Sequence, residues 1–196
     1  MERIAPVEGK HAPFLLKALN WASRRWLGQE ATPTKILAHN PGFLLPSLGM
    51  SRFVQGKTAL PPAIRPLAMH LVAEINGCAW CMDFGQAMGM KQGIAAEKFA
   101  AVADYATSPL FSPAEQAALA YAAAVTQIGA HVSDATFATL KKHFSERAIV
   151  ELTVAIAAEN FYNRCNAPLG IESQGFCAIP ARSLVTSKHA KRCARI

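Results

Sequence analysis

The strongest constraint on the fold is a missing pattern. Nowhere in the 196 residues do apolar and polar side chains alternate for long enough to make a half-buried strand. Apolar residues recur instead at helical spacing. Ile64, Leu67, Ala68, Leu71, Val72 and Ile75 form one such stripe, the face that an amphipathic helix turns to a core. Turn chemistry supplies the boundaries. A first helix is expected over 13–27 with Gly28 as its stop, followed by helices over 33–39 and 42–55, with Pro46 near the first turn of the latter. Pro61 and Pro62 open the striped helix, and Asn76-Gly77 ends it after Ile75. Asn76 is then placed to cap a helix over 78–90, weakened by Gly85 and Gly89, and another helix covers 94–106. Ser112-Pro113-Ala114-Glu115 is a capping box with proline at the first helical position, and its helix reaches about residue 128. Ser133 and Ser145 cap helices ending near residues 143 and 166, and Pro168 and Gly170 stop the last. The expectation is an all-α, single-domain fold of eight or nine helices.

Hydrophobic residues make up 52% of the chain and charged residues 17%, so it is apolar for its size and is expected to bury surface between subunits. A net charge of +7 would suit a nucleic-acid binder, but four of the seven excess charges lie in KHAKRCARI, residues 188–196. That segment reads as a solvated chain end, and no nucleic-acid partner is expected. No apolar run reaches the roughly 18 residues of a membrane span. Arg24, Arg25 and Trp26 interrupt the apolar stretch near the N-terminus, so no signal peptide is read there. The expected location is cytoplasmic, where thiols stay reduced unless their work is redox. Five cysteines at irregular spacing do not read as a disulfide framework.

The stretch EINGCAWCMDFG, residues 74–85, carries the chemistry. On a helix, Cys78 and Cys81 are one turn apart and share a face. A helix N-terminus supplies partial positive charge and unpaired N–H groups, both of which stabilise a thiolate. Such a pair suits disulfide redox chemistry. Two other readings stand beside it: half of a zinc site, for which Cys165, Cys177 and Cys193 provide no second knuckle, and a pair of buried, inert thiols.

The motifs LAHNPGFL, LPPAIRPL, INGCAWC and FSPAEQAALAYAAAVT, within about 35–125, resemble the carboxymuconolactone decarboxylase family, and within it the AhpD-like alkylhydroperoxidases. A weaker likeness, IVELTVAIAAENFYNRCNAPLGI, runs to residue 171. The resemblance implies an AhpD-like helical domain over 35–171, preceded by a helical extension over 1–34 and followed by a tail over 172–196. It also implies a homo-oligomer, a trimer or hexamer. In AhpD-like members the second cysteine of the pair attacks a peroxide and the first resolves the sulfenic acid. Carried over, Cys81 is peroxidatic and Cys78 resolving, with a small hydroperoxide or disulfide as substrate and a thiol protein or small dithiol as reductant. The redox-active disulfide then does the chemistry with no cofactor or metal. Family members that act as lactone decarboxylases generally lack this pair.

Three family positions differ. The histidine four residues after the second cysteine is Gly85 here, the glutamate twelve before the first is Pro66, and the histidine sometimes found just before the second is Trp80. His70 and Glu74 follow Pro66 by one and two turns on the same side of the striped helix, and Glu74 lies at the edge of the stripe. They are the candidate replacements for the missing proton relay, with Asp83 weaker. The alternatives are a boundary carboxylate at Glu74, an exposed helix residue at His70, and at Asp83 an acid placed for the helix dipole. Trp80 is placed to wall the site. Glu151, Glu159, Asn160, Asn163, Arg164 and Asn166 line a pocket or subunit contact on the last helix, or form its solvated end. Phe14, Trp21 and Trp26 are expected in the core or at an interface, with a membrane-surface helix as the alternative. His39, His131 and His143 show no metal-ligand spacing.

Overall fold

Every regular element among the described residues is a helix. The structure is a computed structural model and describes residues 2–9, 12–129 and 131–177. The charged end at 188–196, Cys193 within it, lies outside the described residues. The elements are α1 (Phe14–Leu27), α2 (Thr32–Leu37), α3 (Pro41–Gln55), α4 (Ile64–Ile75), α5 (Ala79–Lys91), α6 (Ala96–Ala100), a 3-10 turn at Val102–Asp104, α7 (Pro113–Thr126), α8 (Asp134–Lys141) and α9 (Glu146–Asn166).

The chain forms two compact units. The first comprises residues 1–57 and 168–171 and contains α1 to α3. Its small core is Leu16, Ala12 and Ala38 with Val7 packed against them. Lys35 pairs with Glu8 and, at 3.2 Å, with Glu30. Pro46 sits inside α3 rather than near its first turn. Phe14, Trp21 and Trp26 on α1 are 87%, 67% and 82% exposed, so they are no part of this chain's core.

The second unit carries α4 to α9. α4 is its central strut, because its apolar residues serve two clusters. Ile64, Ala68 and Val72 pack with Ala118 and Ala122 of α7, Leu140 of α8 and Leu152 and Ile156 of α9. Leu67 and Leu71 pack with Phe99, Val102, Phe111 and Leu119. Ile75, the last of the predicted stripe, is instead 43% exposed at the helix end. The helix expected over 94–106 breaks into α6 and the 3-10 turn. The three serine caps form as the sequence implies. Ser112 accepts from Glu115 N–H within a full capping box, Ser133 from Thr136 N–H and Ser145 from Ala148 N–H.

Candidate active site

The turn that presents the cysteines is built by Gly77. Its φ of 66° lies in the left-handed region that glycine adopts without steric cost. Gly77 N–H bonds to Glu74 C=O at 3.1 Å and Cys78 N–H to Ala73 C=O at 3.0 Å, which closes α4 and starts the chain toward α5. Asn76 does not cap α5, as its position had implied. It is the last residue of the α4 turn, and Cys78 itself occupies the N-cap of α5. The Asn76 amide turns the other way and donates to Asn160 Oδ1 at 2.9 Å and Asn163 Oδ1 at 3.1 Å on α9.

Cys81 therefore lies in the first turn of α5. The two cysteines are joined as a disulfide, with Cα atoms 5.3 Å apart. Cys78 is fully buried and Cys81 is 6% exposed. Ala73 packs on both, with Trp80 and Met82 at the margin. Both are buried, Cys81 slightly less completely than Cys78. Both sit where the α5 dipole favours negative charge.

His70 is buried, not an exposed helix residue. Its ring lies edge-on to Phe99 at 5.1 Å, and Nδ1 has no hydrogen-bond partner among the described residues. Burial lowers its pKa to about 4, with the Met82 backbone opposing the shift. The ring is neutral at physiological pH. Glu74 is half-buried near the end of α4.

Asp83 does more than complement a dipole. Its buried carboxylate accepts four hydrogen bonds from one short segment. Ser173 Oγ, Gln174 N–H and Phe176 N–H donate to Oδ2 at 2.8, 2.9 and 3.0 Å, and Cys177 N–H donates to Oδ1 at 2.7 Å. This holds residues 173–177 against α5. Trp80 Nε1 donates to Gln174 Oε1 at 2.7 Å. Trp80 also stacks on Phe84 at 4.8 Å, and Phe176 stands edge-on to both. Trp80 thus walls the site as expected from its place between the cysteines, and Phe176 completes the wall.

The polar residues of α9 divide. Arg164 is exposed, and Glu151 binds Thr58 Oγ1 and Ala59 N–H, both at 2.7 Å. Glu159, Asn163 and Asn166 are buried at 7%, 1% and 2% exposure, so they are not a solvated helix end. Their spacing puts them on one face. Asn163 Nδ2 donates to Glu159 Oε1 at 2.7 Å. Burial pushes the Glu159 pKa up to about 7, against the lowering effect of that bond. Asn160 Nδ2 donates to Thr126 Oγ1 at 3.2 Å, extending the network to α7. At the end of the stripe, Asn166 Nδ2 donates to Cys81 Sγ at 3.4 Å. That contact was not read from the sequence. Its signal was the i, i+4, i+7 spacing of 159, 163 and 166, which puts three polar side chains on one face of α9. Cys165, beside it, is a free thiol whose pKa burial raises.

Among the described residues no helix is long and apolar enough to cross a membrane. Comparison with known proteins bears on the family and the fold. The uncharacterized protein YnjA of Escherichia coli is 32% identical over 171 residues, which cover 87% of this chain and 94% of that protein. The debrominase Bmp8, solved in complex with 2,3,4-tribromopyrrole, shares the fold at a TM-score of 0.78 and 23% identity, over 91% of this chain and 97% of its own. A protein of unknown function from Agrobacterium tumefaciens, with a suggested role in antioxidant defence as an AhpD, aligns at a TM-score of 0.66 and 28% identity, over 70% of this chain and 94% of its own. A model of the carboxymuconolactone decarboxylase family matches residues 48–124, across the cysteine pair and into α7. With its AhpD-like helical fold, the chain belongs to the carboxymuconolactone decarboxylase family.

Proposed function

We propose that the protein is a thiol-dependent oxidoreductase that reduces hydroperoxides through Cys81 and Cys78. The observation that carries this reading is the Cys78–Cys81 disulfide at the N-terminus of α5. In the reduced enzyme the Cys81 thiolate attacks a peroxide oxygen. The O–O bond breaks, the alkoxide leaves and takes a proton to become an alcohol, and Cys81 becomes a sulfenic acid. The Cys78 thiol then attacks the Cys81 sulfur, the S–S bond forms and water leaves. An external dithiol, a small molecule or a thiol protein, returns both cysteines to thiols by exchange. Burial supports this division of roles: the fully buried Cys78 suits the internal, resolving step, and Cys81 is the less enclosed of the two.

The proton leaving Cys81 needs an acceptor, and the family histidine is absent at Gly85. Half-buried Glu74 is assigned that role, with neutral His70 as the second candidate. Glu74→Gln and His70→Gln separate the two by their effect on peroxide rate. Unchanged rates in both would remove the pair from the mechanism. The cycle needs a standing supply of reduced thiol, which the cytoplasm provides. Exposed apolar residues on α1 and α9 support assembly as a homo-oligomer.

The test is peroxide consumption with a dithiol reductant, for the native protein, Cys81→Ser and Cys78→Ser, with thiol titration alongside. Turnover should vanish in Cys81→Ser. Cys78→Ser should lose internal disulfide formation and with it the native turnover rate, leaving its Cys81 sulfenic acid to slower attack by the added dithiol. Native thiols that stay reduced under excess peroxide would sink the reading. Because a debrominase shares this fold, a halogenated aromatic belongs in the same assay. Thiol-dependent halide release without peroxide turnover would redirect the assignment to reductive dehalogenation.

A further inference from the structure

A thiolate at Cys81 has to be stabilised, and the histidine that the family places at position 85 is replaced here by a glycine, where an added Cβ meets none of the described residues within 4 Å. Among the described residues, the cations on α5 and the helices packed against it are exposed (Lys91, Arg147 and Arg164), half-buried (Arg65) or paired, and the other ionisable groups there are neutral or acidic. On α4, His70 is neutral and Glu74 is acidic. On α9, Glu159 is acidic and bonded to Asn163. On α5 itself, Asp83 is committed to the segment 173–177. Lys98 of α6 is paired with Glu115.

The geometry points to Asn166 as the group that stabilises the Cys81 thiolate, by donating its side-chain N–H to Sγ. The inference rests on the redox reading of the pair and adds a residue to it. Asn166 is 2% exposed, so the donor is withheld from water, and its Nδ2 already lies 3.4 Å from the sulfur in the oxidised form. A disulfide sulfur is a weak acceptor and a thiolate a strong one. The bond therefore strengthens on reduction, when the acceptor gains charge. Asn166 is also the last residue of α9, an end that carries partial negative charge. An amide N–H turned toward the sulfur makes that end compatible with an anion, where a side-chain oxygen in the same place would repel it. A neutral amide has no ionisation of its own in the working range. It differs in this from the histidine of the family, which gains and loses charge near neutrality.

The experiment reads the Cys81 thiol directly, without peroxide. Cys78→Ser isolates Cys81, and the thiolate ultraviolet absorbance is titrated in that protein and after adding Asn166→Ala or Asn166→Asp. A hydrogen bond to a charged group corresponds to about one pKa unit, so Asn166→Ala should raise the Cys81 pKa by about that much. Asn166→Asp, of the same size but carrying like charge, should raise it further. Alkylation of Asn166→Ala by iodoacetamide at neutral pH should slow by up to about threefold, the gain in intrinsic nucleophilicity offsetting part of the lost thiolate. Circular dichroism checks that each variant is folded. If Asn166→Ala fails that check, the isosteric aspartate carries the test. Titrations that superimpose on the Cys78→Ser curve in the folded variants, or that shift downward, overturn the assignment. The two readings fail separately. A shifted thiol pKa in a protein without peroxide turnover retains Asn166 and rejects the peroxidase, whereas native turnover with an unshifted pKa does the reverse.

Discussion

His70 and Glu159 are buried ionisable side chains whose pKa values move in opposite directions, and their effects on stability oppose each other. His70 falls from 6.5 to about 4. Between those values the unfolded chain holds the proton and the folded one does not, so stability is fully present above pH 6.5 and is lost as pH falls toward 4. Glu159 rises from 4.5 to about 7. There the folded chain holds the extra proton, so stability is present below pH 4.5 and is lost as pH climbs through 7. Each group contributes a slope of about 1.4 kcal/mol per pH unit in its window, with opposite sign. From about pH 4.5 to 6.5 the two cancel, and urea denaturation of the native protein should show little change in stability from this pair. Glu159→Gln should unmask the histidine, giving stability that rises with pH across the window. His70→Gln should unmask the carboxyl and give the reverse. Parallel slopes in the two variants would reject this account. The sequence marked both residues without separating buried from solvated. A lone histidine or glutamate on a helix looks alike in either setting until the packing of neighbouring helices is known. Asp83 shows the same limit, because its four donors come from residues about ninety positions away.

At the scale of the element, local chemistry was legible and distant chemistry was not. The serine caps of α7, α8 and α9 were correct because a cap and its acceptors lie within one turn. Asn76 was misassigned because its amide has two long-range partners on α9 that compete with capping. The glycines of α5 make the point in a testable form. Gly85 and Gly89 both read as helix-weakening residues. A Cβ added at Gly85 meets nothing within 4 Å, whereas one at Gly89 falls on the Phe99 ring. Phe99 is 1% exposed and has little room to move. Gly85→Ala should therefore stabilise the protein by about 0.5–1 kcal/mol through helix propensity. Gly89→Ala should destabilise it by about 1–3 kcal/mol through overpacking. Chemical denaturation of the two variants reads both signs, and two shifts of the same sign would mean that propensity, not packing, decides this helix.

At the scale of the whole molecule, the high apolar content leads to the expectation of surface buried between subunits, which mass measurement can test. α9 buries Leu152, Ala155 and Ile156 on one side, yet Val150 and Val154 are 61% and 42% exposed. On α1, Phe14, Trp21 and Trp26 are exposed as well. Exposed apolar residues scattered singly are ordinary, but Val150 and Val154 lie one turn apart on the same side of α9, the pattern expected where a second chain packs. A second copy of this chain is the occupant that the composition favours, since an apolar excess spread through the sequence recurs in every copy. Sedimentation should accordingly give a mass that is a multiple of 21.0 kDa. Val154→Asp places a charge on the outer face of α9, where it touches none of the clusters that hold α4, α7 and α9 together. It should leave the circular dichroism unchanged and lower the assembled mass, because an unpaired charge at the centre of an apolar contact is costly to desolvate. A native protein sedimenting at 21.0 kDa would reject the assembly outright. An oligomer indifferent to Val154→Asp would move the interface away from α9, with Trp21→Asp on α1 as the decisive second variant.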